Sequence, residues 1–152
     1  MPDIERSSAE AFRGSAQPHI VDDDVSPAWF YRPLQRAGLL WVADAGDRLT
    51  GFAACAEFDD GLHLWELAVC YDGQGRGTGR ALVAAAVDES RRRNRPSVTL
   101  TTFRASPWNA PFYARLGFAE IAGATLNARL AAVLKREARH GLWDRCAMRL
   151  IL

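Results

Sequence analysis

Between Val69 and Gly79 the chain reads Val-Cys-Tyr-Asp-Gly-Gln-Gly-Arg-Gly-Thr-Gly, with glycine at every second position from 73 to 79. Glycine accepts positive φ and leaves room for close approach, so successive backbone N–H groups can converge on one anion. An apolar strand precedes this loop and an alanine-rich helix follows it, so the unpaired first-turn N–H groups of that helix join the cradle. Phosphates bind such places. A dinucleotide fingerprint, Gly-x-Gly-x-x-Gly, fails here, because its last place falls on Thr78 when counted from Gly73 and on Arg80 when counted from Gly75. A P-loop fails as well, since it needs a lysine beside its final glycine and the one lysine of the chain is Lys135. The pattern that fits is Gln-x-x-Gly-x-Gly, with Gln74, Gly77 and Gly79.

A second segment follows, Ser106-Pro107-Trp108-Asn109-Ala110-Pro111-Phe112-Tyr113-Ala114-Arg115-Leu116-Gly117-Phe118. It reads as a short helix with Asn109 as N-cap, Pro111 in the first turn where its missing N–H costs nothing, and Gly117 as the residue after the C-cap. Ser106 with Pro107 is a competing start, but it would place Pro111 beyond the first turn. The two motifs occur in this order with a strand-like segment between them, and over roughly residues 38–122 the chain resembles the GNAT superfamily of acyl-CoA-dependent N-acyltransferases. The resemblance implies acetyl-CoA as acyl donor, no metal, and direct acetyl transfer to an amine acceptor that no motif identifies. It implies cofactor contacts at Leu67 and Val69 in the strand, at Gln74, Gly75, Arg76, Gly77, Thr78, Gly79 and Arg80 around the loop, and at Asn109 and Phe112 downstream. A non-catalytic acyl-CoA-binding or regulatory module on the same scaffold is the alternative.

The chemistry implied makes definite demands. An alkylammonium of pKa ~10.4 is deprotonated about once in 2,500 molecules at pH 7, a cost of ~4.6 kcal/mol before attack. Some group must take that proton, a backbone N–H near Val69 is wanted for the developing oxyanion, and the leaving thiolate needs an acid. Tyr113 occupies the family's position for the acid. Glu66 is the best candidate base: in Leu62-His63-Leu64-Trp65-Glu66-Leu67-Ala68-Val69 it shares a face with Leu62, Leu64 and Ala68, and a carboxylate on an apolar face is expensive unless partnered or used. The structural alternative is an ion pair, for example with Arg104. His63 is a rival base of suitable pKa, although a lone histidine near a hairpin is more often a surface residue.

Composition bounds the rest. With 152 residues, 49% hydrophobic, and a net charge of +1, the chain has material for one core and no bulk attraction to nucleic acid or membrane. Cys55, Cys70 and Cys146 are odd in number and lack metal spacing, which fits reduced core thiols, and the charged start is not a signal peptide. Cytoplasmic residence is the default expectation. Arg91, Arg92, Arg93 and Arg95 read as solvated charges at a helix C-terminus, and Asp22-Asp23-Asp24, Glu57, Asp59 and Asp60 as solvated loop charge or an attraction for a cationic acceptor.

Around these residues the expected frame is a single α+β domain over 1–152 with a mixed, mostly antiparallel sheet flanked by helices. Helices are expected near 4–12, then at 27–37 with Ser26 as N-cap, 79–93, the Asn109 turn, and 127–140. Strands are expected at 39–44, 49–58, 62–69, 98–103, 118–122 and 145–150, with 14–24 as loop. Trp29, Phe30 and Tyr31 wall an acceptor cleft or fill core. The strand that family members place before the first helix is not found ahead of it here: the strand is absent, or another element or chain fills that sheet edge, or the sequence starts late, and a homodimer could form at that edge or through the C-terminal strands. Tyr71 stands where the family commonly has proline.

Overall fold

The computed structural model describes residues 1–15 and 17–152. Its elements run α1 (Pro2–Ala9), α2 (Ala28–Arg36), β1 (Leu40–Asp44), β2 (Leu49–Phe58), β3 (Gly61–Val69), α3 (Thr78–Arg92), β4 (Ser97–Phe103), α4 (Ala110–Ala114), β5 (Ala119–Ile121), α5 (Ala128–Arg139) and β6 (Arg145–Ile151). The strands form a six-stranded sheet in the order β1-β2-β3-β4-β6-β5. The helix–strand order is the α+β frame expected, with ends shifted by a residue or two, except that α1 stops at Ala9 and a 3-10 turn carries on over Glu10–Phe12.

The chain divides into two compact units, and β3 passes from one to the other between His63 and Leu64. The first holds residues 1–56 and 64–89. Its core gathers Ile4, Tyr31, Phe52, Ala54, Ala68 and Cys70, so α1, α2, β2 and β3 bury one apolar cluster. On α3, Leu82, Val83, Ala86 and Val87 are buried, the single face that their spacing foretold. β1 pairs antiparallel with β2 from Leu40↔Ala54 to Asp44↔Leu49, with a bulge at Ala43/Asp44.

Two local expectations fail here. Helix α2 begins at Ala28 with Pro27 as its extended N-cap residue, not with Ser26 as cap. Ser26 is drawn elsewhere, since its backbone N–H donates to the Glu5 carboxylate at 2.9 Å. Within the expected loop 14–24, a 3-10 turn forms at Pro18–Asp22, where proline's fixed φ suits a first position.

The second unit holds residues 57–63 and 90–152. β4 pairs antiparallel with β6 from Ser97↔Ile151 to Phe103↔Arg145, and β5 adds three residues to β6 from Ala119↔Arg149. Gly61 opens β3 at φ +132°, and a Cβ there would stand 2.0 Å from the Ser97 carbonyl oxygen, so only glycine lets the two backbones meet. Asn127 caps α5 through its side-chain oxygen, which accepts from the Leu130 N–H. Cys55, Cys70 and Cys146 are free and buried in their respective units. No helix among the described residues is long and apolar enough to cross a membrane.

Candidate active site

In the first unit, strand alternation places Glu66 as expected. Leu64 and Ala68 on its face are buried while Glu66 itself is half-buried, and Leu67 is half-buried on the other face. β3 ends at Val69, and the N–H of Cys70 that follows is spent on the Thr50 carbonyl at 2.8 Å.

The loop after β3 is built in two parts. Its first part is a closed turn: the Gly73 N–H donates to Cys70 O at 2.8 Å and the Gln74 N–H to Tyr71 O at 3.3 Å. The Gln74 side chain then donates to Val69 O at 3.1 Å and to Ser8 O at 3.5 Å, so this residue ties the loop to the end of its own strand and to α1. The second part is open. Gly75 and Gly77 have φ of +75° and +91°, and a Cβ on either would meet nothing within 4 Å. Backbone conformation rather than crowding therefore calls for glycine at both positions. The Ala81 N–H makes the first helical bond, to Gly77 O at 3.0 Å, so the N–H groups of Thr78, Gly79 and Arg80 lie in the first turn of α3. Arg76 and Arg80 are exposed on either side. An anionic group fits this place: open space, two left-handed glycines and a helix N-terminus adjoin, with two exposed cations, Arg76 and Arg80, in the same stretch of chain. Asp72, also in the loop, is held by Arg48, and Tyr71 is 58% exposed.

In the second unit, α4 starts after Asn109, whose carbonyl accepts from the Tyr113 N–H at 3.1 Å. The asparagine side chain does not cap that helix. Its Oδ1 accepts instead from the Thr102 hydroxyl at 3.2 Å, while its buried Nδ2 has no protein partner. Tyr113 is 8% exposed and packs edge-on against Phe112 at 5.0 Å and Phe118 at 5.7 Å between ring centroids. The helix is thus held by an aromatic triplet, with Phe112 half-buried.

Several expected roles are corrected. His63 is fully buried, not a surface residue, with Nδ1 3.0 Å from the Thr99 hydroxyl and its ring edge-on to Phe58. Burial, then the nearby Arg129 charge, pushes its pKa down to about 3. Such an imidazole is neutral at pH 7 and too weak a base to hold an amine proton. Arg104 is engaged by Glu120 and Asp144, so it is not the partner proposed for Glu66. Glu57 is not a solvated loop charge: Arg93 and Arg95 bind it, and those hydrogen bonds hold its carboxyl below the usual range. The same pairs remove Arg93 and Arg95 from the set of solvated helix-end cations.

Asp60 is likewise committed. Its carboxylate accepts from Arg129 Nη2 at 3.0 Å and from Asn127 Nδ2 at 2.6 Å, with Arg149 at 3.6 Å. Burial alone would raise its pKa, but the Arg129 hydrogen bonds and charge outweigh that and hold it low. The Arg129 guanidinium also lies 4.2 Å from the Phe58 ring centroid. Asp22, Asp23 and Asp24 are exposed, as loop charge should be.

One cluster in the first unit went unread. Tyr31, 3% exposed, donates its hydroxyl to Glu5 Oε1 at 2.7 Å, while Glu5 Oε2 takes the Ser26 N–H. Of the aromatic run on α2, only Tyr31 is core; Trp29 is 69% exposed and Phe30 half-buried. The Glu5 contacts join positions 21 and 26 residues apart, and no local pattern announces them.

Comparison with known proteins places this arrangement. A curated relative, an uncharacterized N-acetyltransferase, ycf52, of Pyropia yezoensis, is 29% identical over 61% of this chain and 59% of its own length. The chain therefore spans about three fifths of the curated relative it matches. Two solved structures share the fold at lower identity. The PaiA N-acetyltransferase of Thermoplasma acidophilum, solved with coenzyme A, has a TM-score of 0.69 and 14% identity over 99% of this chain and 89% of that one. The ribosomal-protein-alanine N-acetyltransferase of Brucella melitensis also has a TM-score of 0.69, with 18% identity over 99% and 93% of the two chains. Residues 36–120, more than half of the sequence and the whole run from β1 through the cradle to α4, match the acetyltransferase (GNAT) domain, and the chain belongs to that family.

Proposed function

We propose that this chain transfers an acetyl group from acetyl-CoA to a primary amine of a small molecule, peptide or protein, by direct attack and within a single catalytic domain. The observation that carries the reading is the open half of the β3–α3 loop. Gly75 and Gly77 at positive φ turn the backbone toward the start of α3, where first-turn N–H groups and the helix dipole favour a phosphate. Membership of the acetyltransferase family and the coenzyme A bound to a structural relative agree with that ligand.

Acetyl-CoA supplies the acyl group as an activated thioester. The chain's own part is to bind, orient and move protons. The N–H groups of residues 75–80 hold the pyrophosphate, with Arg76 and Arg80 adding charge at its rim, and Asn109 and Phe112 contribute from the second motif. Gln74 acts indirectly, by fixing the loop to the end of β3. The Val69 N–H, one residue before the engaged Cys70 N–H, is the donor toward the thioester oxygen, with Leu67 alongside, as the family's pattern implies. Glu66, half-buried and reachable by water, accepts the amine proton through a water molecule, and the Tyr113 hydroxyl gives a proton to the departing thiolate.

A thiol-release assay with acetyl-CoA against a panel of alkylamines, amino acids and peptides tests the reading. At least one acceptor should give turnover above acetyl-CoA hydrolysis with mass-confirmed N-acetyl product. Tight CoA binding with no acceptor in a broad panel would favour the non-catalytic alternative.

A further inference from the structure

Helix α1 is tied at two ends of the first unit by hydrogen bonds that run from opposite faces. Successive helical residues are turned by about 100°, so Glu5 and Ser7 point about 200° apart. Toward the cofactor loop, the Ser7 hydroxyl oxygen accepts from the Tyr71 N–H at 3.1 Å and the Ser8 carbonyl from Gln74 Nε2 at 3.5 Å. Toward α2, Glu5 accepts from the Ser26 N–H at 2.9 Å and from the Tyr31 hydroxyl at 2.7 Å.

The chemistry of the Glu5 end is unusual for a merely structural contact. A half-buried carboxylate with two uncharged donors and no cation among the described residues is a costly way to join two helices, which apolar side chains would join more cheaply. What it achieves is direction. Tyr31 packs in the same cluster as Ala68, the residue two places beyond Glu66 on the same face of β3, and against Phe52 with ring centroids 5.3 Å apart. Burial chiefly, and then the charges of Glu66 and Glu5, keep the phenol protonated, so it remains a donor to Glu5 across the working pH range. Glu5 therefore fixes the start of α2 and the Tyr31 ring against the face of β3 that carries Glu66. The loop end is different in kind: an exposed hydrogen bond from the Tyr71 N–H to Ser7 and a long one from Gln74 to the Ser8 carbonyl, weak enough together to respond to what the loop holds.

We propose that Glu5 and Ser7 are positioning residues, and that α1 is the strut by which occupancy of the cofactor loop orders α2 and the face of β3 bearing Glu66 for the incoming amine. This rests on the reading of the loop as a CoA site. Binding that orders the loop stiffens the Tyr71–Ser7 bond, holds α1, and through Glu5 holds Ser26 and Tyr31; a second ligand on that side then finds part of the ordering already done.

The test uses CoA alone as probe, with hydrogen exchange read peptide by peptide in the full chain. In the unaltered protein, saturating CoA should slow exchange in residues 71–80 and also in α2, by about tenfold or more. Ser7→Ala should bind CoA within about threefold of normal and keep the protection of 71–80, while α2 loses its CoA-dependent protection. Ser7→Thr keeps the acceptor oxygen and should restore it. Glu5→Gln, which retains the shape of the carboxylate, should behave as Ser7→Ala does. Once an acceptor is in hand, both disabling variants should raise its KM about tenfold with kcat little changed. If α2 gains the same protection in Ser7→Ala and Glu5→Gln as in the parent, or if exchange in α2 rises equally with and without CoA, α1 is only a structural brace and the inference falls. If CoA does not slow exchange at 71–80 even in the parent, the CoA site itself is wrong and the inference falls with it.

Discussion

β3 carries two titratable side chains three residues apart, and they have opposite fates. At its start, His63 is fully buried, and Asp60, three residues before it, is held by Arg129, Asn127 and Arg149, so the histidine is uncharged and the carboxylate is paired. Toward its end, Glu66 sits half-exposed on an otherwise apolar face and leads within a few residues to an open glycine loop. The first arrangement spends its polar groups on one another and defines packing. In the second, Glu66 stays within reach of water and the loop glycines have open space beside them, where a ligand can approach. The degree of burial thus separates the two side chains more sharply than residue type does.

Glu66→Gln is the strongest way to break that contrast. If Glu66 takes the amine proton, turnover at pH 7 should fall by about 100-fold, with fold and CoA affinity kept. The deficit should shrink as pH approaches the amine pKa, because free amine needs no base. PH–rate profiles beside melting curves check this; a large loss of stability with normal rate per folded molecule would put Glu66 in the same class as Asp60.

Asp60→Asn should do the reverse. It leaves Arg129 and Arg149 without their shared carboxylate in a partly buried place, which should cost about 2 kcal/mol and lower the melting temperature by several degrees. The rate per folded molecule should not change, as activity normalised to folded fraction would reveal.

His63 gives the smallest and most selective effect. Its pKa is about 6.5 unfolded and about 3 folded, so between those values the unfolded chain binds a proton that the native one refuses. Stability should therefore decline as pH falls from about 6.5, by up to about 1.4 kcal/mol per pH unit. The lowered carboxylates contribute in a different window: Asp60 and Glu57 stabilise above their unfolded pKa near 4 and lose that contribution only as pH drops further. Denaturant melts of His63→Gln at pH 7, 6 and 5 should show a flatter decline than the parent; equal slopes would contradict the buried neutral imidazole.

What the sequence made legible follows from the range of each interaction. The apolar face of α3 is local and appears in the structure as read, and of the glycines at 73–79 two, Gly75 and Gly77, take positive φ; β3 is buried on both faces at 61–64 and 68–69 and half-buried between, without simple alternation. The division of labour inside the loop was not legible, because nothing in Gln-x-x-Gly-x-Gly says that the glutamine closes the turn while the later glycines open it. His63 was misread for a related reason. A histidine after a hairpin is usually wet; this one is dry, with Phe58 across the hairpin against its ring and Thr99, 36 residues away, on its Nδ1. The Glu57, Asp60 and Arg104 pairs, and the Glu5–Tyr31 bond, join residues 16 to 89 positions apart and leave no periodic trace. Asn109 was placed correctly at the start of α4, yet its side chain serves Thr102 instead of the helix.

The central claim is that the backbone of residues 75–80 binds the phosphates of CoA, and calorimetric titration of CoA into the parent and Gly77→Val tests it most directly. A valine cannot comfortably hold φ +91°, so the loop must re-aim its N–H groups, while the open space around residue 77 spares the rest of the fold. The account predicts CoA binding by the parent, an affinity at least about 100-fold lower in the variant, and unchanged far-ultraviolet circular dichroism. Equal CoA affinity in a folded Gly77→Val protein would contradict it.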